Sequence, residues 1–419
     1  MLDRKSPPAF IQDTNFKLLK PENQNLNGDN KVLFINGGDQ EVVKVELVFN
    51  AGRWFESKSG ISHFTSILLP KGTPSLNSYQ ISSIFDFYGI HLEINPGLDF
   101  TSINLYGLSK NITAVLDLLI DMLTVSSFPE TELHQAKEQY VQGLKINLEK
   151  TSYLAARHFR RILFGNTHPY GKDFELTDVQ NLNQDELSGF RDNFFKNFSA
   201  FVSGKTPDAT KQQIANKLNQ LIPIKIHRKQ HLKSPAAERN QHIDKEGSIQ
   251  TSLRMGKQVI GRTHPDYPGL LLLNHAFGGF FGSRLMKNIR EEKGLTYGIH
   301  STIHPLKHES YFVISADVNR ENRSLTINEI KKELEKICTQ PLQQNEIDIA
   351  RNHFIGSLQS DMSTPFAHAD KIKAIELFNL DAEYYQRLIN EIIKINTKSL
   401  QGLAEKYFAE SDFYTISVG

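Results

Sequence analysis

One cysteine in 419 residues, Cys338, leaves no partner for an intramolecular disulfide and no set of thiolates for a zinc finger or an iron–sulfur centre. Any metal would have to be held by histidine and carboxylate. Bulk charge of one sign is absent as well: 48 Lys and Arg face 47 Asp and Glu, the formal net charge is +1, and no block of five or six like charges occurs. That argues against a nucleic-acid or membrane-surface role driven by overall charge. No stretch approaches about 18 uninterrupted apolar residues, and the opening MLDRKSPPAFIQDTNF lacks the apolar run of a signal peptide. The chain therefore reads as soluble and cytoplasmic, with the periplasm open if a leader has been removed. The apolar content, 39% with 10% aromatic, is enough to bury a core and too much for a disordered chain. At roughly 100 to 200 residues per domain, the length fits two or more domains.

Residues 1–30, rich in Pro, Asn, Lys and Asp, read as an extended arm lying over something else. Lys31–Asn36, Gly37–Gly38 and the alternating Val43, Val45, Leu47 and Phe49 read as a hairpin opening a sheet. Phe100–Leu108 alternates as a strand, and Ile112, Val115, Leu116, Leu119, Ile120 and Leu123 recur at helical spacing. The mixture lacks a βαβ rhythm, so an α+β fold with antiparallel sheets is expected.

A long-period repeat reorganises that picture. Glu132, Ala136, Lys137, Tyr140, Val141 and Leu144 are matched in order by Glu346, Ala350, Arg351, Phe354, Ile355 and Leu358, at an offset of 214. Leu182, Asn183, Leu187, Gly189 and Phe195 are matched by Ile395, Asn396, Leu400, Gly402 and Phe408, at 213. TyrGlyIleHis at 88–91, with Ile94 and Pro96, recurs at 297–300 with Ile303 and Pro305, at 209. The expected architecture is two tandem homologous α+β domains, each an antiparallel sheet packed with helices: 31–222 and 248–419, joined by a linker at 223–247. The linker's Lys225, Arg228, Lys229, Lys233, Arg239 and Lys245 lack interleaved aromatics and read as a solvated tether, not a nucleic-acid patch.

Gly60–Thr73, GlyIleSerHisPheThrSerIleLeuLeuProLysGlyThr, resembles the active-site helix of the pitrilysin/insulinase family of zinc metallopeptidases, whose pattern is Gly-x-x-His-x-x-Glu-His followed by Lys-Gly-Thr. In that inverted zinc motif two histidines on one helix face bind the metal and the glutamate deprotonates its water. Here His63 keeps the first ligand position, Ser66 stands at the base position and Ile67 at the second ligand. Neither a hydroxyl that does not titrate near neutrality nor an aliphatic side chain can replace them. The resemblance places the third ligand near 139–148, a stretch without an acid, flanked by Glu138 and Glu149. His63 is then expected to be a structural histidine, and the chain to hold no metal and no catalytic residues of its own.

Leu273–Gly298 resembles the same family's second signature, a glycine-containing turn, Ser-Arg-Leu, and a helix ending in Arg-Glu-x-Lys-Gly ahead of a Tyr. The resemblance implies that Arg290 and Tyr297 contact bound peptide from the half opposite the zinc. From the residues alone, Met286–Arg290 is helical, Gly294 is a left-handed stop and a strand begins at Leu295. An arginine fork and a phenol hydroxyl suit a peptide carbonyl or its oxyanion, whereas pairing of Arg290 with Glu291 or Glu292 and packing of Tyr297 is the alternative. His300, His304 and His308 at four-residue spacing on a strand lie about 13 Å apart and cannot share a metal. GlyGlyPhePheGly (278–282) reads as a flexible turn near the substrate site, and Trp54 as a core anchor.

The resemblance implies a processing-peptidase-like fold and the non-catalytic subunit of a bacterial two-component peptidase. Zinc would reside in a homologous partner subunit and short peptides would be enclosed between the two, with self-association left open. The rival expectations are a scaffold pseudo-protease with no role in hydrolysis and an autonomous peptidase with an unorthodox metal site.

Overall fold

The computed structural model describes residues 15–224, 231–236 and 238–419. Eleven strands among them form two sheets. The first holds β1 (Glu22–Asn25), β2 (Lys31–Asn36), β3 (Val42–Phe49), β4 (His91–Pro96), β5 (Thr101–Leu108) and β6 (Phe198–Gly204), in the order β1-β2-β6-β3-β5-β4. The second holds β7 (Asn240–Ile243), β8 (Gln250–Val259), β9 (Thr296–Pro305), β10 (Ser310–Asn319) and β11 (Tyr414–Val418), in the order β7-β11-β8-β10-β9. From β2 and β7 onward the two sheets share order and sense. Each begins with a parallel pair, β2–β6 or β7–β11, and continues antiparallel. The hairpin registers agree as well, Pro96 standing opposite Thr101 and Pro305 opposite Ser310.

Three details differ from the sequence expectation. The sheets are mixed, not purely antiparallel. Residues 31–49 do not form a hairpin, because β6 runs between β2 and β3. Both strands are covered on both faces for most of their length, so they take central positions, and the five residues 37–41 are long enough to span the roughly 10 Å across an intervening strand. Finally, the arm and the tether each contribute a strand, β1 and β7. Residues 1–14, and Lys225, Arg228 and Lys229 of the tether, lie outside the described residues. The tether's other cations are anchored: Lys233 on Glu309, Arg239 on Asp412 and Lys245 on Glu149. The arm does lie over something, since Phe16 is buried against Tyr385.

Each sheet packs one face on its own helices. Val32, Phe34, Val45, Leu47, Ile103 and Leu105 meet the helices Ile61–Leu68, Leu116–Val125 and Gln184–Phe194 in one core. Leu253, Met255, Phe312 and Ile314 meet Tyr267–Asn274, Arg323–Thr339 and Thr397–Tyr407 in another. Asn183 and Asn396, paired in the repeat, are both helix N-caps, accepting hydrogen bonds from the Glu186 and Ser399 amides at 3.0 Å.

The opposite faces are covered reciprocally. Helix Thr151–Phe164 lays Ala155, Phe159 and Ile162 on Tyr311, Val313, Ile416 and Val418 of the second sheet. Helix Pro365–Leu377, starting 214 residues later, lays Ala369 and Ile372 on Leu33, Ile35, Val48 and Phe201 of the first. The alternation of β2 makes this necessary: Val32 and Phe34 serve one core, and Leu33 and Ile35 need a second cover. An ion-pair cluster ties the exchange together. Glu46 on β3, with its side chain 4% exposed, accepts from Lys44 at 2.9 Å and from Lys373 of the crossing helix at 2.7 Å. Lys373→Met is expected to cost about 1–3 kcal/mol by weakening the solvation of a buried carboxylate, read as a lower urea midpoint at unchanged m-value. An unaltered midpoint would mean that Lys44 suffices alone.

Candidate functional site

The helix Ile61–Leu68 lies against the first sheet's edge strand β4 and the helix Glu130–Leu148. His63 is half-buried, its ring 5.4 Å from Tyr140 of that second helix, 5.3 Å from Phe64 and 6.0 Å from Phe174. Burial, helped by the Arg53 charge, pushes the imidazole down to about 4, so it is neutral at physiological pH. Ser66 is fully buried and donates to the Ser62 carbonyl at 2.6 Å, with the Thr101 hydroxyl 3.4 Å away. Ile67 packs on the core. Glu138 sits beside His134 at 3.6 Å and Glu149 takes Lys245 at 2.8 Å. The donor set around His63 is one ring nitrogen among aromatic rings. It does not fit a catalytic zinc, and no group of three or more His, Cys, Asp or Glu among the described residues could hold a metal.

Behind His63 lies a charge network that the sequence reading missed. The Arg53 guanidinium stacks over Phe174, 4.5 Å from its centroid, and donates to the Lys172 carbonyl at 2.7 Å. Arg157, Arg160 and Arg161 of the crossing helix share Asp173 and Glu175, with contacts of 2.6–3.3 Å, and Arg53 approaches Asp173 at 3.5 Å. The arginines' i, i+3, i+4 spacing was a readable signal for one helix face, but the acids that meet it could not be assigned.

Glu56 accepts from the Ser62 amide at 3.1 Å at the start of the motif helix. Desolvation outweighs the attraction of Arg53 and raises its carboxyl to about 7. A native carboxyl that keeps its proton from about 4.5 up to 7, while the unfolded chain loses it, makes stability fall as pH rises through that window. Glu56→Gln keeps the acceptor and removes the charge. Its thermal midpoint should exceed the parent's by a few degrees at pH 8, with the gain fading to nothing near pH 4.5. An equal difference at both pH values would contradict the assignment.

In the second half, Met286–Glu292 is a wide-turned π-type helical segment, Gly294 is left-handed (φ +62°), and β9 begins at Thr296, as expected. Arg290 has no carboxylate partner among the described residues. Its guanidinium lies over Phe281, 4.7 Å from the centroid, and Phe281 is itself exposed. Tyr297 is 94% exposed. No hydrogen bond or ring contact joins Arg290, Tyr297 and His63 to one another. The alternative pairing of Arg290 with Glu291 or Glu292 does not occur.

The remaining marked residues are structural. His304 stacks on Tyr311 and His308 on Trp54, at 4.6 and 3.7 Å. Trp54 is buried in the cluster that helix Thr151–Phe164 forms with the second sheet. The glycine turn is held in place at its start: a methyl on Gly278 would stand 2.5 Å from the Ser301 hydroxyl, so this glycine serves close packing against β9 and not flexibility.

Two family models match the chain: the insulinase model of peptidase family M16 at residues 31–168, and the peptidase M16 inactive-domain model at 181–354. Among curated relatives, an uncharacterized zinc protease YmxG of Bacillus subtilis is 21% identical, covering 84% of this chain and 86% of its own length. A protein of Helicobacter pylori called a non-peptidase homolog YmxG is also 21% identical, with 88% and 87% covered. Among solved structures, a peptidase M16 inactive domain from Pseudomonas fluorescens superposes with a TM-score of 0.87 at 23% identity, covering 96% of this chain and 98% of that one. The periplasmic protease PqqL of Escherichia coli gives 0.77 at 12% identity, with 99% of this chain matched to 48% of that one.

Proposed function

The chain belongs to the insulinase family of peptidases, family M16, and from that membership we propose that it is a non-catalytic, peptide-binding subunit working with a zinc-bearing homologous partner. The observation that carries the reading is an asymmetry. The helix that resembles the zinc motif is folded into the core with a satisfied serine and an isoleucine at the positions of base and ligand. In the second half, the side chains of Arg290 and Tyr297 have no polar partner among the described residues.

In this reading the partner supplies metal and water. Arg290 would hold the peptide carbonyl with its planar fork and Tyr297 would add one hydroxyl donor, fixing and polarising the bond to be cut. The proposed units are 31–222 and 248–419 with a tether at 223–247, products of a tandem duplication, a reading that the common strand order supports. The fold-level match to about half of a longer chain fits an arrangement in which two such chains make up one enclosure. A scaffold role would call for Arg290 in an internal salt bridge, whereas among the described residues its guanidinium meets the Phe281 ring and no carboxylate.

The test is reconstitution. The chain alone should leave peptides uncut, and adding it to a family member with a complete His-x-x-Glu-His motif should raise that member's cleavage rate and give a 1:1 species in sedimentation. A partner whose rate and mass are unmoved by saturating amounts of this chain would end the proposal.

A further inference from the structure

The two halves carry the same packing at corresponding points. In the first, His63 lies 5.4 Å from Tyr140; 212 residues later His275, in the helical turn after Tyr267–Asn274, lies 5.4 Å from Phe354. Tyr140 and Phe354 are partners in the repeat, and the shift from His63 to His275 falls within its range of 209 to 214. The helices concerned also keep equivalent neighbours, Gln184–Phe194 in one half and Thr397–Tyr407 in the other.

The halves differ in what stands next to Tyr140 and Phe354. In the first half position 139 is Gln139, whereas the second has His353, whose Nδ1 is 3.0 Å from Nε2 of His275. Phe280 backs both rings, stacked on His275 at 5.0 Å and 13° and lying 4.8 Å from His353. The Ser357 hydroxyl is 3.4 Å from the same His353 nitrogen. We propose that His275 and His353 form a binding site for a divalent transition cation of the zinc, copper or nickel type, at the place in the second half that corresponds to His63 in the first.

The geometry suits this chemistry. Two imidazole nitrogens about 2.0–2.1 Å from a tetrahedral cation stand roughly 3.3 Å apart, so the pair needs to open by only a few tenths of an ångström. Without metal, one ring donates a proton to the other across the 3.0 Å gap. Binding moves that proton to the far nitrogen of the same ring and frees both lone pairs, with no net proton change. His353 is exposed and gives the ion a way in. A ligand set of imidazoles alone selects copper, nickel and zinc over magnesium or calcium, and water would complete the coordination.

The experiment is calorimetric titration of the metal-stripped full chain with zinc chloride, repeated with nickel chloride. About one equivalent should bind, with a rise in thermal midpoint. His353→Gln, a surface change that leaves the circular dichroism spectrum intact, should weaken binding by about tenfold or more, given that even indirect partners of a metal ligand are worth about 10- to 100-fold. His275→Gln should do the same, and His63→Gln should leave the isotherm unchanged. Absence of a binding equivalent, an isotherm indifferent to His353→Gln, or a loss on His63→Gln instead would each overturn the assignment.

Discussion

Arg290→Ala is expected to lower the turnover of the reconstituted pair by about 10²-fold, the range found when one oxyanion donor is removed, while the variant folds and assembles as the parent does. Tyr297→Phe should cost about tenfold. The structural cost of either change is small. Tyr297 is 94% exposed and its hydroxyl makes no hydrogen bond among the described residues. Arg290 gives up one guanidinium–ring contact with the exposed Phe281, worth about 0.5–1 kcal/mol. The kinetic split says what the groups do: a fall in kcat marks an interaction made in the transition state, and a rise in KM alone marks uniform binding. Arg290→Lys keeps charge but loses the planar fork and should fall between parent and Ala. Full turnover in the Ala and Phe variants, with assembly intact, would remove both residues from the mechanism.

Ser66→Glu combined with Ile67→His, which rewrites the motif as His-x-x-Glu-His, is expected to produce a destabilised protein and no peptidase. Ser66 is fully buried, its neighbours being the Ser62 carbonyl and a Thr101 hydroxyl that already donates to the Ala51 carbonyl at 2.9 Å. A carboxylate placed there meets acceptors, and an uncompensated buried charge costs several kcal/mol. The third ligand would still be missing, because Tyr140 is the residue that faces His63 from the long helix. Thermal unfolding should show the loss, and an assay with added zinc should show no cleavage. Ile67→His alone is the milder control, since Ile67 is only partly buried, and it too should be inactive. Zinc-dependent cleavage by either variant in isolation would show that hydrolytic capacity is latent in this chain.

Much of this was legible in the order of residues. The repeat was visible because helix faces, N-caps and strand ends demand the same residue types wherever they recur: Asn183 and Asn396 cap equivalent helices, and Pro96 and Pro305 end equivalent strands. The loss of the motif's base and second ligand, at Ser66 and Ile67, was visible as well, since coordination is a matter of which atoms a side chain possesses. The hairpin reading of 31–49 failed for a different reason. Alternation specifies which face of a strand meets a core, but not which strand lies beside it, and β6 arrives from 150 residues further on. The spacing of Arg157, Arg160 and Arg161 marked one helix face but not its partners, and Arg53 gave no signal, because a solvated arginine and one sharing a buried carboxylate are spelled alike.

Composition and spacing determined by themselves that this chain folds in two similar halves and that its zinc-motif counterpart lacks a base and a second nitrogen, because both follow from local periodicity and from the chemistry of single side chains. Only the tertiary structure decided that each half covers the other's sheet with a helix, that Arg290 and Tyr297 find no polar partner among the described residues, and that His275 meets His353. Those outcomes depend on contacts between residues tens to hundreds of positions apart, which are selected by the packing of whole surfaces and not by any neighbouring residue in the chain.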